Sequence, residues 1–132
     1  MNAEFDPEPP LARGLFLCDV LIQDAQTNKV SLVNLFDRVR ATEFPAQAKP
    51  FVVYALLTNG SGDVDLAVEV ESLDGLQVVY TRTMRARFPD RLAALHVRFN
   101  VIGCIFPRSG AYQVTLYANG DPVAQTRLDV VE

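Results

Sequence analysis

From Val64 to Val70 one residue in two is a branched apolar one: Val64, Leu66, Val68 and Val70 are separated by Asp65, Ala67 and Glu69. A period of two is the period of a β-strand with one face buried and one face wet, because successive side chains point to opposite sides of the pleat. A helix would need apolar residues at a spacing near 3.6, which this stretch lacks. The pattern recurs. Leu95, Val97, Phe99 and Val101 alternate with His96, Arg98 and Asn100, and Tyr112, Val114 and Leu116 alternate with Gln113, Thr115 and Tyr117. Two stretches, Leu15 to Ile22 and Phe51 to Leu57, are apolar on both parities. Strands of that kind are central and covered on both faces, or lie at an oligomer interface.

Turn chemistry falls between these runs. Asn119-Gly120 is the strongest hairpin signal, since both residues accept the positive φ of a type I′ turn. Asp74-Gly75, Gln26 to Lys29, and Pro107-Arg108-Ser109-Gly110 read as further turns, and Asn59 to Asp63 as a hairpin loop. Strands are expected near 13–24, 29–36, 37–43, 50–58, 64–71, 76–85, 94–105, 111–118 and 122–131. Gly103 stands where the apolar parity slips, which a bulge would explain. Pro89 to Ala94 is the one segment suited to a helical turn, with Asp90 as its cap. About eight short strands with turns at this spacing indicate an all-β, two-sheet antiparallel sandwich of immunoglobulin-like architecture. The ending favours a sandwich over a barrel: Tyr112 enters a tight closing hairpin as a tyrosine corner would, and Leu128 and Val130 return into the core. The cysteine pair and tryptophan of true immunoglobulin domains are missing, and the chain has no Trp.

A chain of 132 residues with 49% hydrophobic content suits one domain, and at that size a core holds without metals or disulfides. Residues 1–10, with Pro7, Pro9 and Pro10 among Asp6 and Glu8, read as a flexible tail, leaving 11–132 as the domain. A net charge of −4 opposes general binding to nucleic-acid backbones, so no nucleic-acid partner is expected. No apolar run has the length of a membrane helix, and the first residues lack the basic start and apolar core of a signal peptide. A cytoplasmic, reducing location is therefore expected, with Asn59-Gly60-Ser61 a turn rather than a glycosylation site, although a Cys18–Cys104 disulfide is possible in principle.

Four segments together resemble a family of small, functionally uncharacterised bacterial single-domain β-sandwich proteins. They are Phe16 to Asp19, Ser31 to Asp37, Phe51 to Gly62 and Phe106 to Tyr112. The resemblance implies a one-domain sandwich in a bacterial cytoplasm, and it brings no activity and no catalytic residues.

The residues that carry chemistry each have a plainer role. Arg82, Arg85, Arg87 and Arg91 form the densest basic stretch, an anion patch on one reading. On the other they are the charged edge strand and loop that deter sheet-to-sheet aggregation. His96, the only histidine, shares the wet parity of its strand, and no GxSxG elbow accompanies it as a nucleophile would require. Asp19 interrupts an apolar strand, so an inward carboxylate paired with an arginine is expected, while Asp37 reads as a turn group. Cys18 is expected to be a small buried hydrophobe on the parity of Phe16, Val20 and Ile22. No catalytic set, no cofactor-binding fingerprint and no metal-ligand spacing is present, so no cofactor is expected. The leading expectation is a non-enzymatic binding or protein-interaction module, as a homodimer or on a partner, because doubly apolar strands offer more apolar surface than one core needs. The alternative is a small-ligand or carbohydrate binder using Tyr54, Tyr80 or Tyr117 as platforms.

Overall fold

The computed structural model of the chain describes residues 9–132, and these contain strands and turns but no helix. The strands are β1 (Leu11–Gln23), β2 (Val30–Leu35), β3 (Arg38–Arg40), β4 (Ala46–Gln47), β5 (Phe51–Thr58), β6 (Gly62–Ser72), β7 (Val78–Phe88), β8 (Leu95–Val101), β9 (Ile105–Phe106), β10 (Gly110–Ala118) and β11 (Asp121–Val131). They form a four-stranded sheet in the order β2-β1-β5-β8, a five-stranded sheet in the order β3-β11-β10-β6-β7, and the small pair β4-β9. The all-β reading is borne out. The expectation of about eight strands in purely antiparallel sheets is corrected: eleven strands are present among the described residues, and β3 runs parallel to β11, with Asp129 opposite Arg38 and Val131 opposite Arg40. Two- and three-residue strands are too short to display a period, and strand direction depends on the path of the chain rather than on its local pattern.

The alternating runs do what their period requires. Val64, Leu66, Val68 and Val70 of β6 and Tyr112, Val114 and Leu116 of β10 are buried, and with Val97, Phe99 and Val101 of β8 they join one core cluster shared by the two large sheets. Leu128 and Val130 of β11 complete it. β5, between β1 and β8, is buried on both parities: Phe51, Val53, Ala55 and Leu57 face the shared core, while Val52 and Tyr54 pack with Cys18 in a second cluster that Leu21, Val30 and Leu32 support.

Asn119 (φ 50°) and Gly120 (φ 85°) both take positive φ at the β10–β11 turn, as a two-residue hairpin with the right-handed twist demands. Tyr112, fully buried, donates its hydroxyl to the carbonyl oxygen of Arg108 at 2.7 Å, tying the start of β10 to the turn before it. The Asn59–Asp63 segment is not a hairpin loop. It carries the chain from β5 in one sheet to β6 in the other, and periodicity cannot tell these two connections apart. At Gly103 (φ 78°) the chain breaks out of the sheet, so that the expected strand over 94–105 is divided into β8 and β9. Pro89 to Ala94 is a turn without a helix, and the Asp90 carboxylate accepts the Leu92 amide at 2.8 Å. The tail reading falls mainly on residues 1–8, outside the described residues; of the other two, Pro9 is exposed and Pro10 buried.

Candidate functional site

The basic stretch lies on and beside β7, the edge strand of the five-stranded sheet. Arg85 and Arg87 stand opposite Asp65 and Asp63 of β6 and form ion pairs with them at 2.9 and 3.0 Å. The Asp65 carboxylate, first by hydrogen bonding and then by its charge, holds the Arg85 pKa above its ordinary value. Arg82 donates to the Asn100 carbonyl oxygen at 2.8 Å, which links β7 to the end of β8. Arg91 sits exposed in the turn after β7. The arginine forks on β7 are thus already engaged by groups of the same fold. A concavity of about 640 Å³ beside β7 is lined by Asp65, Glu69, Arg85 and Tyr117; Arg85 is held by Asp65, and Glu69 accepts from the Tyr117 hydroxyl.

His96 lies on the wet face of β8 with Arg98 and Asn100, all exposed, as the parity predicts. Its Nδ1 shares a hydrogen bond with the hydroxyl of Tyr54, and burial raises the pKa of that tyrosine. Asp19 corrects the expectation made for it. The side chain is exposed and accepts a hydrogen bond from the Asn34 amide at 3.0 Å, with no arginine engaged. Leu15 and Leu17, on the same parity, pack on the shared core, but from Asp19 onward β1 leaves that core for the edge hairpin, so no buried charge had to be neutralised. Asp37 is a turn residue, and its carbonyl accepts the Asp129 amide. Both cysteines are free and buried in different clusters, Cys18 of β1 in the outer cluster with Val52 and Tyr54 and Cys104 in the shared core. Burial raises both thiols, Cys104 to about 11, and the Asp19 charge adds to the effect at Cys18. Neither has the basic, open setting of a reactive thiol. Among the described residues no three His, Cys, Asp or Glu gather as metal ligands would.

The surface that the sequence reading missed in its detail is the β1–β2 hairpin. Asp24 shapes its turn by accepting the amides of Gln26 and Thr27 at 2.8 and 2.9 Å, which lowers its pKa. Along the paired strands Leu21 faces Leu32, and both belong to the packed outer cluster. Val20 stands opposite Val33 and Ile22 opposite Ser31, and cross-strand partners share a face. That face is bare: Val20 is 48%, Ile22 54% and Val33 37% exposed, with Leu35 at 58% near the strand end. The expectation that Leu15 to Ile22 is covered on both sides therefore holds only for part of β1. β2 is also the outer strand of its sheet, and of the four edges of the two large sheets it alone bears no charged residue. β3 carries Arg38 and Arg40, β7 carries Arg82, Arg85 and Arg87, and β8 carries His96 and Arg98.

The sequence pattern of a family of unknown function, DUF6941, matches residues 13–131. The chain belongs to DUF6941. The family match takes in all but the first two residues of the strands of both large sheets and agrees with the resemblance to a functionally uncharacterised family. No curated protein matches this DUF6941 chain. Among solved structures it is similar to Pseudomonas fluorescens alkylpurine DNA glycosylase AlkC bound to DNA containing an abasic site analog, with a TM-score of 0.57 and 9% identity. The alignment covers 94% of this chain and 31% of that one, so the chain spans about a third of the glycosylase's length, and at this identity the likeness is one of fold.

Proposed function

We propose that this DUF6941 domain is a non-enzymatic protein-interaction module of the cytoplasm that works as a homodimer, joined by antiparallel pairing of β2 with the same strand of a second copy. The observation that carries the reading is the uncharged, apolar-flanked edge at β2. Exposed sheet edges invite strand addition, and proteins blunt them with charge, proline or cover. Here three edges are blunted with arginine or histidine and the fourth is left open. Antiparallel self-pairing places the start of one strand beside the end of the other. Lys29, just before β2, then lies next to the partner's Asp37, just after it, so the ends of the seam are complementary in a protein whose net charge of −4 otherwise repels a second copy. The bare face of Val20, Ile22 and Val33 then continues across the seam into its own equivalent, as one apolar strip on the joined sheet. Two free, buried thiols support the reducing compartment, and the closing hairpin with its Tyr112–Arg108 bond supports the immunoglobulin-like sandwich.

Light scattering on the purified chain across the micromolar range is expected to give twice the chain mass, falling to one chain on dilution. Val33→Lys sets two cations close together at the seam and is expected to raise the dissociation constant about tenfold or more, while leaving the melting temperature of the monomer nearly unchanged. A wild-type mass of one chain throughout that range ends the proposal.

A further inference from the structure

A concavity of about 440 Å³ lies between the β2–β3 turn, β3, β4 and the start of β5. Its floor is aromatic: the ring of Phe36 meets that of Phe51 edge-on, with centroids 5.5 Å apart, and Phe106 lies beside them, fully buried. Its rim is cationic, with Arg38, Arg40 and Lys49 against the single carboxylate of Asp19. That carboxylate accepts the Asn34 amide, and Arg40 donates to the Glu132 carbonyl oxygen at 2.8 Å. Arg38 and Lys49 form no ion pair among the described residues, so both heads are open to an added anion. In a chain with more acidic than basic residues, the gathering of three cations against one carboxylate around an aromatic floor is what distinguishes this cleft.

We propose that the cleft binds a small amphipathic anion, whose carboxylate or phosphate head pairs with Arg38 and Lys49 and whose ring or short chain lies over Phe36 and Phe51. The volume suits a small molecule, since sites for such ligands occupy about 300–1,000 Å³ and are mostly apolar with a few placed polar groups. The head group supplies charge-assisted bonds that a neutral analogue lacks. The inference is independent of the dimer, because it needs only side chains of one chain.

Amide shifts followed by nuclear magnetic resonance test it with three probes. Phenylacetate carries ring and carboxylate, phenyl phosphate carries ring and phosphate, and phenylacetamide carries the ring alone. Saturable shifts at Arg38, Ala48 and Lys49 are expected with at least one of the two anions, and the tighter of the two identifies the head group. Phenylacetamide is expected to bind about tenfold more weakly or worse, as are the anions to Arg38→Ala and to Lys49→Ala. Both replaced side chains are on the surface, so the spectra of the variants report that the fold is kept. Equal binding of phenylacetamide and phenylacetate, unchanged affinity in both variants, or no shift at the cleft with either anion overturns the proposal.

Discussion

Gly60 shows how one residue reports its neighbours. A Cβ built there would stand 2.1 Å from Cε2 of Phe88, and Phe88 is fully buried, so the ring has nowhere to withdraw. The glycine is needed for space and not for a left-handed backbone, which Gly62, Gly103 and Gly120 use instead. Gly60→Ala is expected to cost about 1–3 kcal/mol through overpacking, read as a lower urea midpoint with an unchanged slope. A midpoint equal to that of the wild type shows that Phe88 can be displaced freely. The sequence marks Gly60 only as part of a turn, because the ring that fills its side-chain position comes from a strand more than twenty residues on. Asp19 is the same lesson with a charge. An aspartate in an apolar run implies an inward carboxylate only if the core reaches its position, and parity alone does not say where along a strand the core ends.

At the scale of elements, β6, β8 and β10 were legible because strict alternation assigns one face to the core whatever the strand order. β5 was legible as central because both parities are apolar and both became buried. β1 has the same apolar signature as β5 over part of its length, but it leads into an edge hairpin and keeps Val20 and Ile22 in solvent. The closing hairpin rests on local chemistry, and so it was read correctly down to Tyr112. Tyr112→Phe removes the hydroxyl that satisfies the Arg108 carbonyl and keeps the ring against Phe106, 4.9 Å away centroid to centroid. The loss is expected at about 1 kcal/mol in urea denaturation, the size of one hydrogen bond. A change within error means that water replaces the phenol at that corner.

Over the whole molecule, burial of the thiols makes stability depend on pH. Cys104 ionises near 11 in the folded chain and near 9.0 when unfolded, so the unfolded state releases its proton first as pH rises. The contribution is fully present below pH 9.0 and is lost as the pH climbs toward about 11, with a full effect of about 3 kcal/mol. Cys18, raised in the same direction, adds to the slope. Urea midpoints compared at neutral pH and at about pH 10.5 should show this loss, and Cys104→Ala should lessen the alkaline decline. An identical alkaline decline in the variant assigns it to other groups. What the residues determined alone was local: strand period, most turn sites, and the core side of each regularly alternating strand. The tertiary structure decided which connections cross between sheets, the parallel seating of β3 on β11, the exposure of one hairpin face, and the gathering of Arg38, Lys49, Phe36 and Phe51 around one cleft. The alternation seen from Val64 to Val70 could fix the first group because a strand's period is a property of a few adjacent residues. The second depends on contacts between segments far apart in the chain, which no local pattern encodes.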